Sequence, residues 1–117
     1  MQAETRVDGF DRALQGIPSC ALDGDARRLQ KARYQRVAGA ITKVVREPHA
    51  VRVEFDAAVD TSTIRELVVA EQDCCPFLNL DWDDRALELS VTVASETMLP
   101  ALAAIAAAFS QAREKVR

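Results

Sequence analysis

The sequence predicts an α+β fold: a four-stranded antiparallel sheet of two hairpins, with helices packed on one face, in the order α-ββ-α-ββ-α. Three observations carry this. Two pairs of short segments alternate with period two, each pair joined by a turn-forming stretch. Each hairpin is followed by helical apolar spacing behind an N-cap signal. No repeat or linker interrupts the 117 residues, a length that suits one core.

The elements follow in order. Residues 1–16 lack an apolar period and are expected to form a loose arm, leaving residues 17–117 as a single α+β domain. Pro18 biases Ile17 away from helix, so 17–22 should be extended. Asp23 or Asp25 can cap a first helix running to about Gly39. Ile41 to Arg46 and Val51 to Phe55 then alternate around the turn Glu47-Pro48-His49-Ala50. A second helix should run from about Ile64, opened by a Thr63/Glu66 capping box and stopped near Cys74 or Cys75 by Pro76. Phe77 to Trp82 and Ala86 to Val93 form the second hairpin about Asp83-Asp84-Arg85, with Leu87, Leu89, Val91 and Val93 on one face. Thr97 should cap a last helix whose buried stripe is Leu99, Leu102, Ile105, Ala106 and Phe109.

Composition narrows the function. The chain is 49% hydrophobic and 28% charged, with a net charge of −3, a poor match to the basic surface that a nucleic acid requires. No apolar run reaches the roughly 18 residues of a membrane span. The start, MQAETRVDGFDRAL, is no secretory signal, so a cytoplasmic location is expected. Three cysteines are too few and odd in number for a disulfide framework, and are expected as reduced thiols.

Chemistry concentrates in Ala70-Glu71-Gln72-Asp73-Cys74-Cys75-Pro76-Phe77. On a helical wheel with Ile64 at zero, Glu71 falls near about −20°, inside the stripe of Leu67 and Val68, and Cys75 lies one turn on. A carboxylate there must be paired, hydrogen-bonded or protonated. On the first helix, with Leu22 at zero, Arg33 and Arg36 share a sector with Ala26, Leu29, Val37 and Ala40. They are the candidate partners of Glu71, and the candidate contacts of any cofactor or small-molecule ligand. On that pairing, Glu71→Ala should cost a few kcal/mol by stranding the arginine. Tyr34 and Trp82 are expected as packing or rim residues, and the Arg27, Arg28, Lys31 run as a wet helix face. His49 sits in a turn and is expected to be solvated and dispensable, like the arm.

The chain resembles a group of small, mostly uncharacterised bacterial proteins. The resemblance rests on an I-x-C-x-L-like element (Ile17-Pro18-Ser19-Cys20-Ala21-Leu22), on Arg33-Tyr34 in a helix, and on an E-x-x-C-C-x-F element (Glu71 to Phe77). It leaves open whether Arg33 or Arg36 is the matching arginine. Members often occur beside regulators of the mercury-resistance type, which implies a soft-metal or metalloid setting. All three cysteines fall inside these motifs.

Thiolates favour thiophilic ions: Hg(II), As(III), Cu(I) and Zn(II). If the first and second helices are antiparallel, Cys20, Cys74 and Cys75 can converge as a three-thiolate site roofed by Phe77 and backed by Glu71. Zinc would need a fourth ligand, for which Glu71 or His49 is available. The function expected first is therefore binding of a thiophilic metal or metalloid, with a homodimer as an open alternative to a monomer. The alternative is a thiol-dependent enzyme or redox protein, with Cys75 as nucleophile and Glu71 as general acid or base. The negative end of the helix dipole opposes that role, because it raises a thiol pKa. A third reading is a binding domain whose cysteines merely fill space.

Overall fold

Alternating apolar residues along four short segments build the frame, and the computed structural model describes residues 24–115 of it. In chain order these are α1 (Gly24–Ala38), β1 (Ile41–Glu47), β2 (Ala50–Phe55), α2 (Thr61–Cys74), β3 (Leu78–Asp83), β4 (Glu88–Val93), a 3-10 turn (Glu96–Met98) and α3 (Leu99–Lys115). The α-ββ-α-ββ-α order and the single antiparallel sheet are as the sequence predicts. The arm before residue 17, the Ile17–Leu22 element and Cys20 lie outside the described residues. Among the described residues no helix is long and apolar enough to cross a membrane.

The strand order is β1-β2-β4-β3, so the two hairpins join through β2 and β4. Val51 faces Val91, and Val91 faces Leu80; Val53 faces Leu89, and Leu89 faces Trp82. These cross-strand rows are the apolar floor of the core. The opposite face carries Arg52, Ser90 and Asp81 in one row and Glu54, Glu88 and Asp83 in the next. Helix α3 lies over β1, β2 and β4, α2 lies beside β3, and α1 packs on α2 and α3. An aromatic chain ties the layers: Tyr34 to Phe109 at 4.7 Å, Phe109 to Phe55 at 6.4 Å and Phe55 to Trp82 at 5.7 Å between ring centroids.

Local chemistry corrects several boundaries. The N-cap of α2 is Asp60, whose side chain accepts from the Thr63 amide at 3.2 Å. Thr63 itself is buried inside the first turn, so the expected capping box is displaced by a stronger acceptor upstream. Leu87 is not on the buried strand face: it ends a four-residue turn with φ 54°, the left-handed region, and its carbonyl accepts from the Phe55 amide at 2.9 Å. The Asp83 carboxylate folds this turn by accepting from the Arg85 and Ala86 amides. In α3, Leu102, Ile105, Ala106 and Phe109 are buried as expected, while Leu99 is half-buried. The cap before it is Ser95, which opens the 3-10 turn, and not Thr97.

Strand β3 is an edge, and Gln72 covers it. Its Nε2 donates to the Leu78 carbonyl at 2.6 Å, and its Oε1 accepts from the Leu80 amide at 3.1 Å. A side chain on the last turn of α2 thus supplies backbone-like pairing where, among the described residues, no further strand pairs. Gln72→Ala is expected to cost about 1–2 kcal/mol and to speed hydrogen exchange at the Leu80 amide selectively. Unchanged exchange there would show that the contact does not protect the edge.

Candidate functional site

The last turn of α2 places Glu71 and Cys75 four residues apart, hence on one helix face. Both are fully buried. Glu71 Oε2 accepts two hydrogen bonds from α1: from Gln30 Nε2 at 3.0 Å and from the Tyr34 hydroxyl at 3.0 Å. Gln30 and Tyr34 are themselves four apart, so they reach the carboxylate from successive turns. Gln30 Nε2 also donates to the Leu67 carbonyl at 3.0 Å. The second carboxylate oxygen, Oε1, has no hydrogen-bond partner among the described residues.

Glu71 was expected to meet an arginine, and it does not. Arg33 stops one link short: its NH1 donates to Gln30 Oε1 at 2.8 Å, and its Nε stands 3.8 Å from Glu66. Arg36 pairs with Asp60 at 3.0 Å. The reason is the phase of α1. Its buried residues are Gln30, Tyr34, Val37 and Ala38, while Leu29 is 59% exposed. The inward face is rotated by about one residue, ~100°, from the one marked by leucine. Polar Gln30 was indistinguishable by type from a surface residue, yet it is inside because a buried carboxylate needs a donor.

Without a cation, burial dominates the electrostatics. Desolvation raises the Glu71 pKa above the ordinary carboxylate value, and the bonds from Gln30 and Tyr34 pull only partly against it. Tyr34 is pushed well above the usual phenol value by burial first and then by the adjoining Glu71. The Cys75 thiol is pushed up to about 12, again by burial and then by Glu71. It is therefore a neutral thiol at neutral pH. Iodoacetamide at pH 8 is expected to label Cys75 only as the chain unfolds; fast labelling of the native state would contradict this burial.

The helix stops where the cysteine pair begins to turn. Cys74 closes α2, and Cys75, its C-cap, leaves helical geometry at φ −129°, ψ 74°. The Cys75 amide still donates to the Glu71 carbonyl at 2.8 Å, and its carbonyl accepts from Leu78 at 3.0 Å, closing a turn over Pro76 and Phe77. The two side chains thus have different surroundings: Cys75 is enclosed and Cys74 half-buried. Phe77 is half-buried against the core.

The expectation of uniformly free thiols is corrected. Cys75 is a free cysteine, while Cys74 is engaged in a disulfide. Cys74 is half-buried against the rim of the core, whereas Cys75 is fully enclosed by it. Cys20 lies outside the described residues. Among the described residues no three His, Cys, Asp or Glu side chains converge as a metal cluster. His49 stays in the β1–β2 turn, half-exposed, with Nε2 3.8 Å from Glu96. Sequence reasoning missed Gln30 and Gln72 altogether. The only signal available was spacing: Gln30 stands four residues before Tyr34, on the same face of α1, and Gln72 lies in the last turn of α2, just before the cysteine pair.

Compared with known proteins, the chain matches no family model, no curated protein and no solved structure.

Proposed function

We propose that the protein binds a thiophilic metal or metalloid ion through its cysteines when they are reduced, with Cys74 and Cys75 as ligands and Cys20 as the third. The observation that carries the reading is the break in the helix between the vicinal cysteines. In a continuous helix, adjacent side chains diverge by about 100°; the non-helical backbone of Cys75 relaxes that constraint. A soft ion suits this pair, because thiolate sulfur outranks oxygen and nitrogen for Hg(II), As(III) and Cu(I). The ion also removes the obstacle to ionising Cys75. Its positive charge offsets the desolvation that holds the thiol protonated. Arg33 and Arg36 are no part of this reading, since each already has a protein partner.

The disulfide at Cys74 favours a second reading, as a redox protein. In it an external dithiol reduces that disulfide, supplying two electrons and two protons and becoming a disulfide itself. The pKa of about 12 weighs against Cys75 as the attacking nucleophile in either a redox or an enzymatic scheme.

Native mass spectrometry of the reduced chain with Hg(II), As(III), Cu(I) and Zn(II) tests the first reading. One ion per chain is expected in the wild type, with loss in Cys74→Ser and in Cys75→Ser. Binding that survives both substitutions, or no binding by the reduced wild type, would overturn it.

A further inference from the structure

Among the described residues no helix or strand packs over the outer face of α2, and we infer that it is the contact surface for a second copy of this chain. Ser62, Arg65, Glu66, Val69 and Asp73 fall on one stripe, opposite the buried residues Thr63, Ile64, Leu67 and Glu71. Val69, at the centre, is 60% exposed. It lies in an open groove of about 430 Å³ lined by Arg33, Arg65, Glu66, Val69, Ala70 and Asp73. Helix α1 runs antiparallel beside it, since Arg36 meets Asp60 at the start of α2 while Gln30 meets Glu71 near its end. The other large exposed hydrophobic residue among those described, Leu29, is on that neighbouring helix.

The occupant follows from charge complementarity. Isologous interfaces pair each residue with its symmetry mate's counterpart. If α2 packs antiparallel on its copy about a two-fold axis at Val69, residues equally spaced on either side of Val69 face each other. Four residues before Val69 stands Arg65, and four residues after it stands Asp73. Each copy's Arg65 therefore meets the other's Asp73, twice over, around a Val69–Val69 contact. The row Arg65, Val69, Asp73 is an i, i+4, i+8 ridge, the row used in the commonest helix packing. The pair cannot form within one chain, because eight residues of helix separate the two by about 12 Å. Asp73 has no ion-pair partner among the described residues. Arg65 spends NH2 on Asp84 at 2.6 Å and keeps further N–H donors.

The face is small. Helix α2 has 14 residues, so it is about 21 Å long. A contact of this kind falls at the low end of specific interfaces, and a dissociation constant on the order of 10 µM is expected.

Sedimentation equilibrium across that concentration range tests the inference. The wild type should dimerise. Arg65→Asp and Asp73→Arg should each weaken association at least tenfold, and Val69→Glu should abolish it. The double swap Arg65→Asp with Asp73→Arg should restore association, which only an inter-chain pair explains. Asp84→Asn, which removes the intra-chain partner of Arg65, should leave the dimer intact. A wild type that stays monomeric, or a double swap that fails to restore dimerisation, would overturn the inference.

Discussion

Tyr34→Ala is expected to destabilise the chain by about 3–5 kcal/mol, the cost of deleting a buried aromatic ring, and a large share of a typical domain's stability. The ring is fully buried and packs 4.7 Å from Phe109, which continues the aromatic chain into Phe55 and the sheet. Its hydroxyl is one of the two donors to Glu71. Tyr34→Phe separates these roles: it keeps the ring and removes the hydrogen bond, and should cost only about 1–2 kcal/mol. Urea unfolding of both variants gives the comparison. Equal losses would show that the hydroxyl, and not the ring, holds α1 in place.

Glu71→Ala is expected to cost about 2–4 kcal/mol, from a cavity and from the stranded Tyr34 hydroxyl. The magnitude resembles the one that an arginine partner would have produced, but the pH dependence does not. An arginine would depress the carboxylate pKa, and stability would then fall as pH falls. Burial raises it instead, with the neutral Gln30 and Tyr34 as partners. The folded state then holds its proton more tightly than the unfolded state does. This contribution is fully present below the unfolded value, near 4.5, and is lost as pH rises through the higher folded value. Glu71→Gln removes the titration and should flatten the wild type's decline on the alkaline side of that value. A wild type that gains stability over the same interval relative to Glu71→Gln would contradict the raised pKa.

What could be read from the sequence divides along physical lines. The hairpins and helices were legible because period-two and helical apolar spacing are local signals. Burial of Glu71 was legible for the same reason, since Ile64, Leu67 and Val68 define the stripe around it. The partners of Glu71 were not. Gln30 drew no reading, Tyr34 was expected only to pack or line a rim, and the leucine at 29 drew the inward face of α1 toward itself, although Leu29 is exposed. A helix with few apolar residues has a poorly determined phase, and the buried acceptor on another helix settles it. The pairing of β2 with β4 was likewise invisible, because it joins segments more than 30 residues apart and no turn encodes it. At the cysteines, Pro76 announced the helix end correctly. The contrast between enclosed Cys75 and half-buried Cys74 depends on which side of the stop the core closes.

The most direct measurement is X-ray absorption at the metal edge of the reduced chain loaded with one equivalent of Hg(II). The account predicts a sulfur shell around the ion that loses a scatterer in Cys75→Ser and again in Cys74→Ser. A shell of oxygen and nitrogen alone, or a sulfur shell unchanged by both substitutions, would contradict it.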